Sequence, residues 1–107
     1  MAYVLVILRE GEQVEQESSF AAEHERFIDS LIERNLVLLG GPFASPVGDA
    51  DAAYLLRCES VEEARAIAAG DPYARGRVVL PECVEWELVG INPDAIDPDA
   101  VIRPQDV

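Results

Sequence analysis

The residue whose chemistry stands out is His24, the only histidine in the 107-residue chain. Imidazole is the side chain best suited to take up and release a proton near neutral pH. His24 shares a three- and four-residue spacing with Phe20, Phe27 and Leu31, so we expect it to face the core rather than solvent. A lone histidine on an apolar helix face is more often a packed core or rim residue than a catalyst, so its role depends on its partner.

Asp71 is the candidate partner, and it follows Gly70 and precedes Pro72 and Tyr73. Aspartate suits the N-cap of a helix and proline the first helical position, which favours a purely structural role. If the fold places Asp71 beside His24, however, the carboxylate would fix the imidazole tautomer and leave the other ring nitrogen free as a general base. Such a dyad suits proton transfer, isomerisation or elimination, and it calls for no cofactor and no metal.

A glycine-rich segment is the second candidate feature. Gly40 and Gly41 precede Pro42 and Phe43. Two glycines before a proline can simply end a strand. Alternatively, the missing side chains open the floor of a pocket and free backbone N–H groups to bind an oxyanion. Gly41, Pro42 and Phe43 are therefore candidate binding residues.

Three further side chains could complete a pocket. Ser45 follows the glycine-rich segment and would bind substrate if it pointed inward, although an exposed turn serine is the simpler interpretation. Tyr73 lies next to the Asp-Pro pair and is a candidate binding residue. Trp86 could also line a pocket, but we expect it in the core.

The composition excludes several classes of function. The net charge of −13 disfavours binding to nucleic acid or to anionic membranes, because both need Lys and Arg. All eight basic residues are arginine, so lysine Schiff-base and P-loop chemistry are excluded. The longest apolar run, residues 4–8, is far shorter than the roughly 20 residues of a membrane helix. We therefore expect a soluble, cytoplasmic protein. We also expect Cys58 and Cys83 to be buried free thiols.

The order of the predicted elements defines the fold. Alternating and continuous apolar patterns predict strands at residues 2–8, 36–40, 52–58 and 83–89, and helices at residues 20–35 and 60–70. Ser60 and Glu63 form a capping box at the second helix, and residues 44–50 are predicted to be a hairpin loop. This β-α-β, β-α-β order indicates an α+β, ferredoxin-like βαββαβ domain with a four-stranded antiparallel sheet. We assign it to residues 1–90, followed by an acidic, proline-containing tail over residues 91–107 with a short helical turn around Asp94.

The predicted sheet should pair with a second copy of the chain. Both helices of a βαββαβ unit lie on one face of the sheet. Strands one and three are apolar at consecutive positions, so the other face is apolar too. An exposed face of that size is unusual for a soluble monomer. A homodimer that packs sheet to sheet would cover it; a folded-back tail is the alternative.

Three segments, taken together, resemble the YCII-related domain family. They are His24 with the run from Phe27 to Phe43, the Ser60 helix start, and Gly70-Asp71-Pro72-Tyr73-Ala74 followed by a strand that contains Trp86. The resemblance implies a dimeric α+β barrel, and it implies that His24 and Asp71 match the His-Asp dyad of the family. One family member eliminates chloride from a chlorinated hydroxyquinol-type ring, whereas most have no assigned reaction.

Two functions are consistent with the sequence. One is a small cofactor-free enzyme in which His24 is the general acid/base and Asp71 its orienting partner, with a small cyclic or aromatic substrate. The other is a non-catalytic homodimer that binds a small molecule or a protein partner, in which His24 and Asp71 form a structural hydrogen bond. Replacement of His24 separates the two, because only the first function requires its imidazole.

Overall fold

The fold was analysed in a computed structural model that describes residues 1–100. The strands are β1 (Ala2–Glu10), β2 (Val37–Val47), β3 (Ala50–Cys58) and β4 (Val79–Glu85), and the helices are α1 (Glu17–Glu33), α2 (Val61–Ala69) and α3 (Pro72–Arg75). The sheet order is β2-β3-β1-β4, and every neighbouring pair is antiparallel. This is the ferredoxin-like βαββαβ arrangement that the sequence predicts.

The β2–β3 hairpin is longer than predicted. β2 continues through Pro42 to Val47, and the turn is confined to residues around Gly48, which has a φ of 60°. The predicted loop over residues 44–50 is therefore wrong. Because β2 is an edge strand, Pro42 need not donate a ladder hydrogen bond, and a register shift between Pro42 and Val47 accommodates the irregularity.

The last strand begins and ends earlier than the predicted residues 83–89. β4 starts at Val79 and includes Pro81, which pairs with Leu8 of β1, whereas the sequence prediction began the strand at Cys83. An edge position again tolerates the proline. The ladder ends near Trp86, whose backbone N–H donates to the carbonyl oxygen of Tyr3 at 2.8 Å.

The core lies between the helices and one face of the sheet. Val4, Val6 and Leu8 alternate along β1 and are 0–3% exposed, whereas the residues between them are half-buried. Ala64 and Ala68 of α2 belong to the same buried cluster, where their small side chains let the helix approach the sheet closely. Ser60 caps α2 through a hydrogen bond from the backbone N–H of Glu63, so the predicted capping position is confirmed.

The opposite face of the sheet is apolar, and none of the helices within residues 1–100 covers it. Leu39, Leu55, Leu5 and Val84 form one row across the four strands by the register of the ladders. Leu39 and Val84 are 54% and 44% exposed. Trp86 is 49% exposed on the same face, so the expectation that it packs in the core is wrong for the single chain. We call this surface the open face.

Between β4 and residue 100 the chain forms two short turns. The predicted turn around Asp94 is a 3₁₀ turn over Pro93–Ala95, and a second follows at Pro98–Ala100. The predicted tail continues beyond residue 100, outside the described residues. Cys58 is buried and Cys83 half-buried, and both are free. Within residues 1–100, no helix has the length and apolarity that a membrane crossing requires.

Candidate functional site

The candidate site forms where α1 packs against the segment that contains α3. Two glycines bracket this segment and face two aromatic rings of α1. A Cβ atom on Gly76 would lie 2.7 Å from the ring of Phe20, and one on Gly70 would lie 3.7 Å from the ring of Phe27. The absent side chain at Gly76 therefore lets α1 approach closely, and His24, between Phe20 and Phe27 on the same stripe, faces the residues between the two glycines.

His24 and Asp71 meet directly, although 47 residues separate them in the sequence. His24 Nδ1 lies 2.8 Å from Oδ1 and 2.9 Å from Oδ2 of Asp71. The Asp71 side chain is fully buried, whereas that of His24 remains 20% exposed. The imidazole is thus anchored from the protein side and still accessible from the solvent side.

Asp71 also caps α3. Its Oδ1 accepts a hydrogen bond from the backbone N–H of Tyr73 at 2.9 Å, and its own backbone is extended, as an N-cap residue requires. Asp71 therefore makes both contacts at once: it caps α3, and it accepts a hydrogen bond from His24. The cap fixes the carboxylate, and the fixed carboxylate orients the imidazole.

This contact sets the tautomer of His24. An ionised carboxylate only accepts hydrogen bonds, so Nδ1 must be the protonated nitrogen that donates to Asp71. In the neutral ring, Nε2 then carries the free lone pair. The contact therefore fixes which ring nitrogen of neutral His24 can accept a proton.

Tyr73 holds the plane of the imidazole. The two rings stack with centroids 4.0 Å apart and an angle of 13° between their planes. Burial raises the pKa of the Tyr73 phenol, and the negative charges of Glu17, Asp71 and Asp51 raise it further. The phenol therefore stays protonated at neutral pH, and its ring restricts the motion of His24.

The glycine-rich segment lies at a different place. Gly41, Pro42 and Phe43 line a shallow depression of about 400 Å³. The other lining residues are Leu5, Leu39, Gly40, Ala53 and Tyr54. Neither His24 nor Asp71 is among them. Within the single chain, the structure thus separates these three candidate binding residues from the dyad.

Ser45 belongs to neither group. It lies exposed in β2, and among residues 1–100 no hydrogen bond connects its hydroxyl to the dyad. The sequence argument expected a turn at this position, and a turn could have directed the side chain inward. The extension of β2 along the sheet edge removes that possibility within the single chain.

Tyr54 is a polar residue near the dyad that the sequence argument missed. Its side chain is 3% exposed, and its hydroxyl has no hydrogen-bond partner among residues 1–100. Burial raises the pKa of the phenol strongly, and the charges of Asp71 and Cys83 add to the shift. The only sequence signal is a tyrosine within the otherwise apolar run of residues 52–56, and that pattern does not reveal whether the hydroxyl has a hydrogen-bond partner.

A metal centre is not evident in the part of the chain that the structure describes. No group of three or more His, Cys, Asp or Glu side chains there is arranged to hold a metal ion.

Comparison with known proteins places the chain in a family. The model of the YCII-related domain matches residues 1–87. The chain belongs to the YCII-related domain family. The resemblance in the dyad segments and the glycine-rich segment is thus confirmed at the level of family membership, and a search of curated proteins finds no significant match.

A solved structure supports the fold of this YCII-related chain. It is 5-chloro-2-hydroxyhydroquinone dehydrochlorinase from Burkholderia phenoliruptrix, in complex with 2,5-dihydroxybenzoquinone. The two chains are 16% identical and superpose with a TM-score of 0.60, covering 78% of this chain and 93% of that one. At this identity the similarity shows a shared α+β fold.

Proposed function

We propose that this YCII-related chain is a small cofactor-free enzyme that transfers protons, with His24 as the general acid/base and Asp71 as its orienting partner. One observation carries the proposal: a fully buried carboxylate lies 2.8 Å from Nδ1 of an imidazole that is still 20% exposed. A purely structural hydrogen bond does not require that exposure. A general base must be reachable by the substrate, and a fixed carboxylate that orients the ring suits that task.

The geometry suggests the following proton path. Nε2 of neutral His24 takes a proton from the substrate, and the positive charge that forms on the ring is stabilised by Asp71 through the Nδ1–H bond. The imidazolium then returns the proton. Delivery to another atom of the substrate completes an isomerisation, and delivery to a leaving group or to solvent completes an elimination. Tyr73 keeps the ring plane fixed during both transfers.

The substrate class that we propose is a small cyclic or aromatic molecule. The structural neighbour is named for removing chloride from a chlorinated hydroxyhydroquinone, and it was solved with a dihydroxybenzoquinone. That relation supports oxygenated rings as the first class to test. It does not by itself define the leaving group, because the two chains are only 16% identical.

We also propose that the chain acts as a homodimer in which two open faces pack together as a dimeric α+β barrel. The row of Leu39, Leu55, Leu5 and Val84 provides a continuous apolar surface across all four strands. A second copy would bury this row and the half-exposed Trp86. It would also cover the depression at Gly41, Pro42 and Phe43, which are therefore retained as candidate binding residues.

The catalytic proposal is tested by measuring proton exchange, which does not assume any one overall reaction. Hydroxylated cyclic carbonyl compounds and chlorinated hydroquinones are incubated with the protein in D₂O, and NMR follows both deuterium incorporation and product formation. We expect wild type to catalyse exchange or conversion with at least one compound. His24→Ala should lose this activity, whereas Glu23→Ala, an exposed change on the same helix, should retain it.

Two results would contradict the proposal. Activity that survives in His24→Ala would show that the imidazole is not the acid/base. Binding of several of these compounds beside His24, with no exchange or conversion of any compound tested, would favour the non-catalytic, ligand-binding alternative. Circular dichroism and light scattering of each variant ensure that a loss of activity is not a loss of fold or of assembly.

A further inference from the structure

Tyr54 is a buried tyrosine whose hydroxyl makes no hydrogen bond within residues 1–100. Its oxygen exposes less than 1 Å² and has no hydrogen-bond partner among residues 1–100. Buried hydroxyl groups are nearly always paired, because desolvation without a compensating bond destabilises the fold. Phenylalanine would fill the same space without that cost. The retained oxygen therefore needs an explanation outside the packing of the core.

The position of Tyr54 is fixed by the sheet. It lies in the centre of β3 on the helix-facing side, in one row with Gly40, Val6 and Cys83. A Cβ atom on Gly40 would lie 2.5 Å from the Cβ of Tyr54, so only glycine fits opposite it. The Cβ end of the tyrosine side chain is therefore confined, and Tyr54 belongs to the same buried cluster as Tyr73, whose ring stacks on His24.

We propose that the Tyr54 hydroxyl is a hydrogen-bond donor for the substrate, which binds a carbonyl or phenolate oxygen while His24 transfers the proton. This inference rests on the proposed function of the dyad and adds a second contact to it. It also specifies the substrate: the reacting molecule carries an oxygen next to the position from which the proton is removed.

The two groups have complementary tasks. When Nε2 of His24 removes a proton, the electron pair left behind shifts onto the neighbouring carbonyl oxygen, which becomes an enolate or a phenolate. A donor aimed at that oxygen stabilises the charge as it forms. Tyr54 suits this task because its phenol remains protonated at neutral pH, where burial and the nearby carboxylate both oppose its ionisation. No further co-reactant is needed.

The burial of the hydroxyl has an observable consequence. A substrate oxygen reaches it only when neighbouring side chains move apart, so binding must change the surroundings of the Tyr54 ring. The chain contains three tyrosines, and replacing each with phenylalanine assigns their signals. Incorporation of 3-fluorotyrosine makes each ring visible by ¹⁹F NMR.

The experiment titrates wild type, Tyr54→Phe, His24→Ala and the control Tyr3→Phe with 2,5-dihydroxybenzoquinone, an oxygenated ring of the required kind. Binding is measured by calorimetry and by the ¹⁹F signals, and stability by urea unfolding. We expect Tyr54→Phe to unfold at the same or a higher urea concentration than wild type, because it loses an unpaired hydroxyl. We expect it to bind the quinone about tenfold more weakly or worse, as loss of a hydrogen bond to a charged oxygen implies, whereas Tyr3→Phe binds normally.

The outcomes separate the inference from the function on which it rests. If Tyr54→Phe binds the quinone like wild type, the proposed role of Tyr54 is overturned. If Tyr54→Phe is less stable than wild type, the role is also overturned, because the Tyr54 hydroxyl then has a structural partner in the wild-type protein. Tyr54→Phe that is impaired in quinone binding, together with a His24→Ala variant that keeps the exchange activity, supports the donor site and contradicts the proposed function. Wild type that does not bind the quinone overturns the inference as stated.

Discussion

The double role of Asp71 leads to a prediction that two substitutions can resolve. Asp71→Ala removes both the cap of α3 and the acceptor for His24 Nδ1, whereas Asp71→Asn keeps a side chain that caps equally well. Because Oδ1 accepts from both His24 and the backbone N–H of Tyr73, the amide oxygen of asparagine can keep both bonds and loses only the charge. The two variants should therefore differ in stability by the cap and the acceptor, and the loss in Asp71→Asn should measure the charge in the contact with His24.

The magnitudes follow from the two contacts. Loss of an N-cap costs about 0.5–2 kcal/mol. Loss of a partner for a largely buried donor costs about 1–3 kcal/mol, and the lower half of this range applies because His24 is 20% exposed and its ring can regain some hydration. We expect the free energy of unfolding to fall by about 2–4 kcal/mol in Asp71→Ala and about 1–2 kcal/mol in Asp71→Asn.

Urea unfolding measures both values. Trp86, the only tryptophan, is half exposed beside the sheet and reports unfolding by fluorescence, and circular dichroism checks that the transition is two-state. Adding His24→Ala to each variant completes a double-mutant cycle. A coupling energy of about 1–2 kcal/mol between the two sites is expected for side chains in direct contact.

One result would refute this reasoning. If Asp71→Asn is as stable as wild type and the cycle shows no coupling, Asp71 acts only as a helix cap. The distance of 2.8 Å would then have no energetic consequence, and the orientation of His24 would need another cause.

Four further predictions follow from the same structure. Gly40→Ala should destabilise the protein by about 1–3 kcal/mol through overpacking against Tyr54, whereas Gly41→Ala, whose added Cβ meets nothing within 4 Å, should be nearly neutral in urea unfolding. Burial raises the pKa of Tyr54, so its neutral form favours the fold: stability should be complete below about pH 10 and fall above it. Thermal melts from pH 8 to 11 should show a shallower fall in Tyr54→Phe. Nitrogen-15 NMR of the single histidine should show neutral His24 protonated at Nδ1, and equal populations of both tautomers would contradict the geometry. Leu39→Glu on the open face should yield monomers in light scattering, and an unchanged dimer would exclude this face as the interface.

The sequence predicts the topology well, because the apolar patterns carry it. Val4, Val6 and Leu8 alternate with half-buried neighbours, and the stripe of α1 places Phe20, His24 and Leu31 on one side. These periodicities reflect which side chains are buried, and burial of apolar side chains determines the fold. The end of α1 was predictable to within two residues: the helix ends at Glu33, and Asn35, at the end of the predicted helix, adopts a φ of 60° that asparagine tolerates better than most residues.

The strand ends were poorly predicted for one physical reason. Pro42 and Pro81 suggested breaks, but both lie in edge strands, where one side of the backbone has no ladder partner. Whether a strand is at the edge depends on the sheet order, and a local pattern does not encode that order. Trp86 was misplaced for a related reason: its burial depends on the open face.

The candidate site was likewise only partly predictable from the sequence. His24 and Asp71 could be paired from the fold type, since the topology brings α1 beside the segment after α2. The hydroxyl of Tyr54 could not be recognised, because whether a polar atom has a partner depends on positions of a few ångströms that no spacing rule provides. The separation of Gly41 from the dyad likewise follows from the course of β2 along the edge.

The contact between α1 and α3 also bears on when the protein becomes competent during folding. Its two residues are 47 positions apart, and the intervening chain comprises the β2–β3 hairpin and α2. A contact across such a separation carries a larger loop-closure cost than the turns within either half. A fragment that lacks the second βαβ half holds His24 without its acceptor. The imidazole contact is therefore an internal reporter that the two halves of the domain have come together.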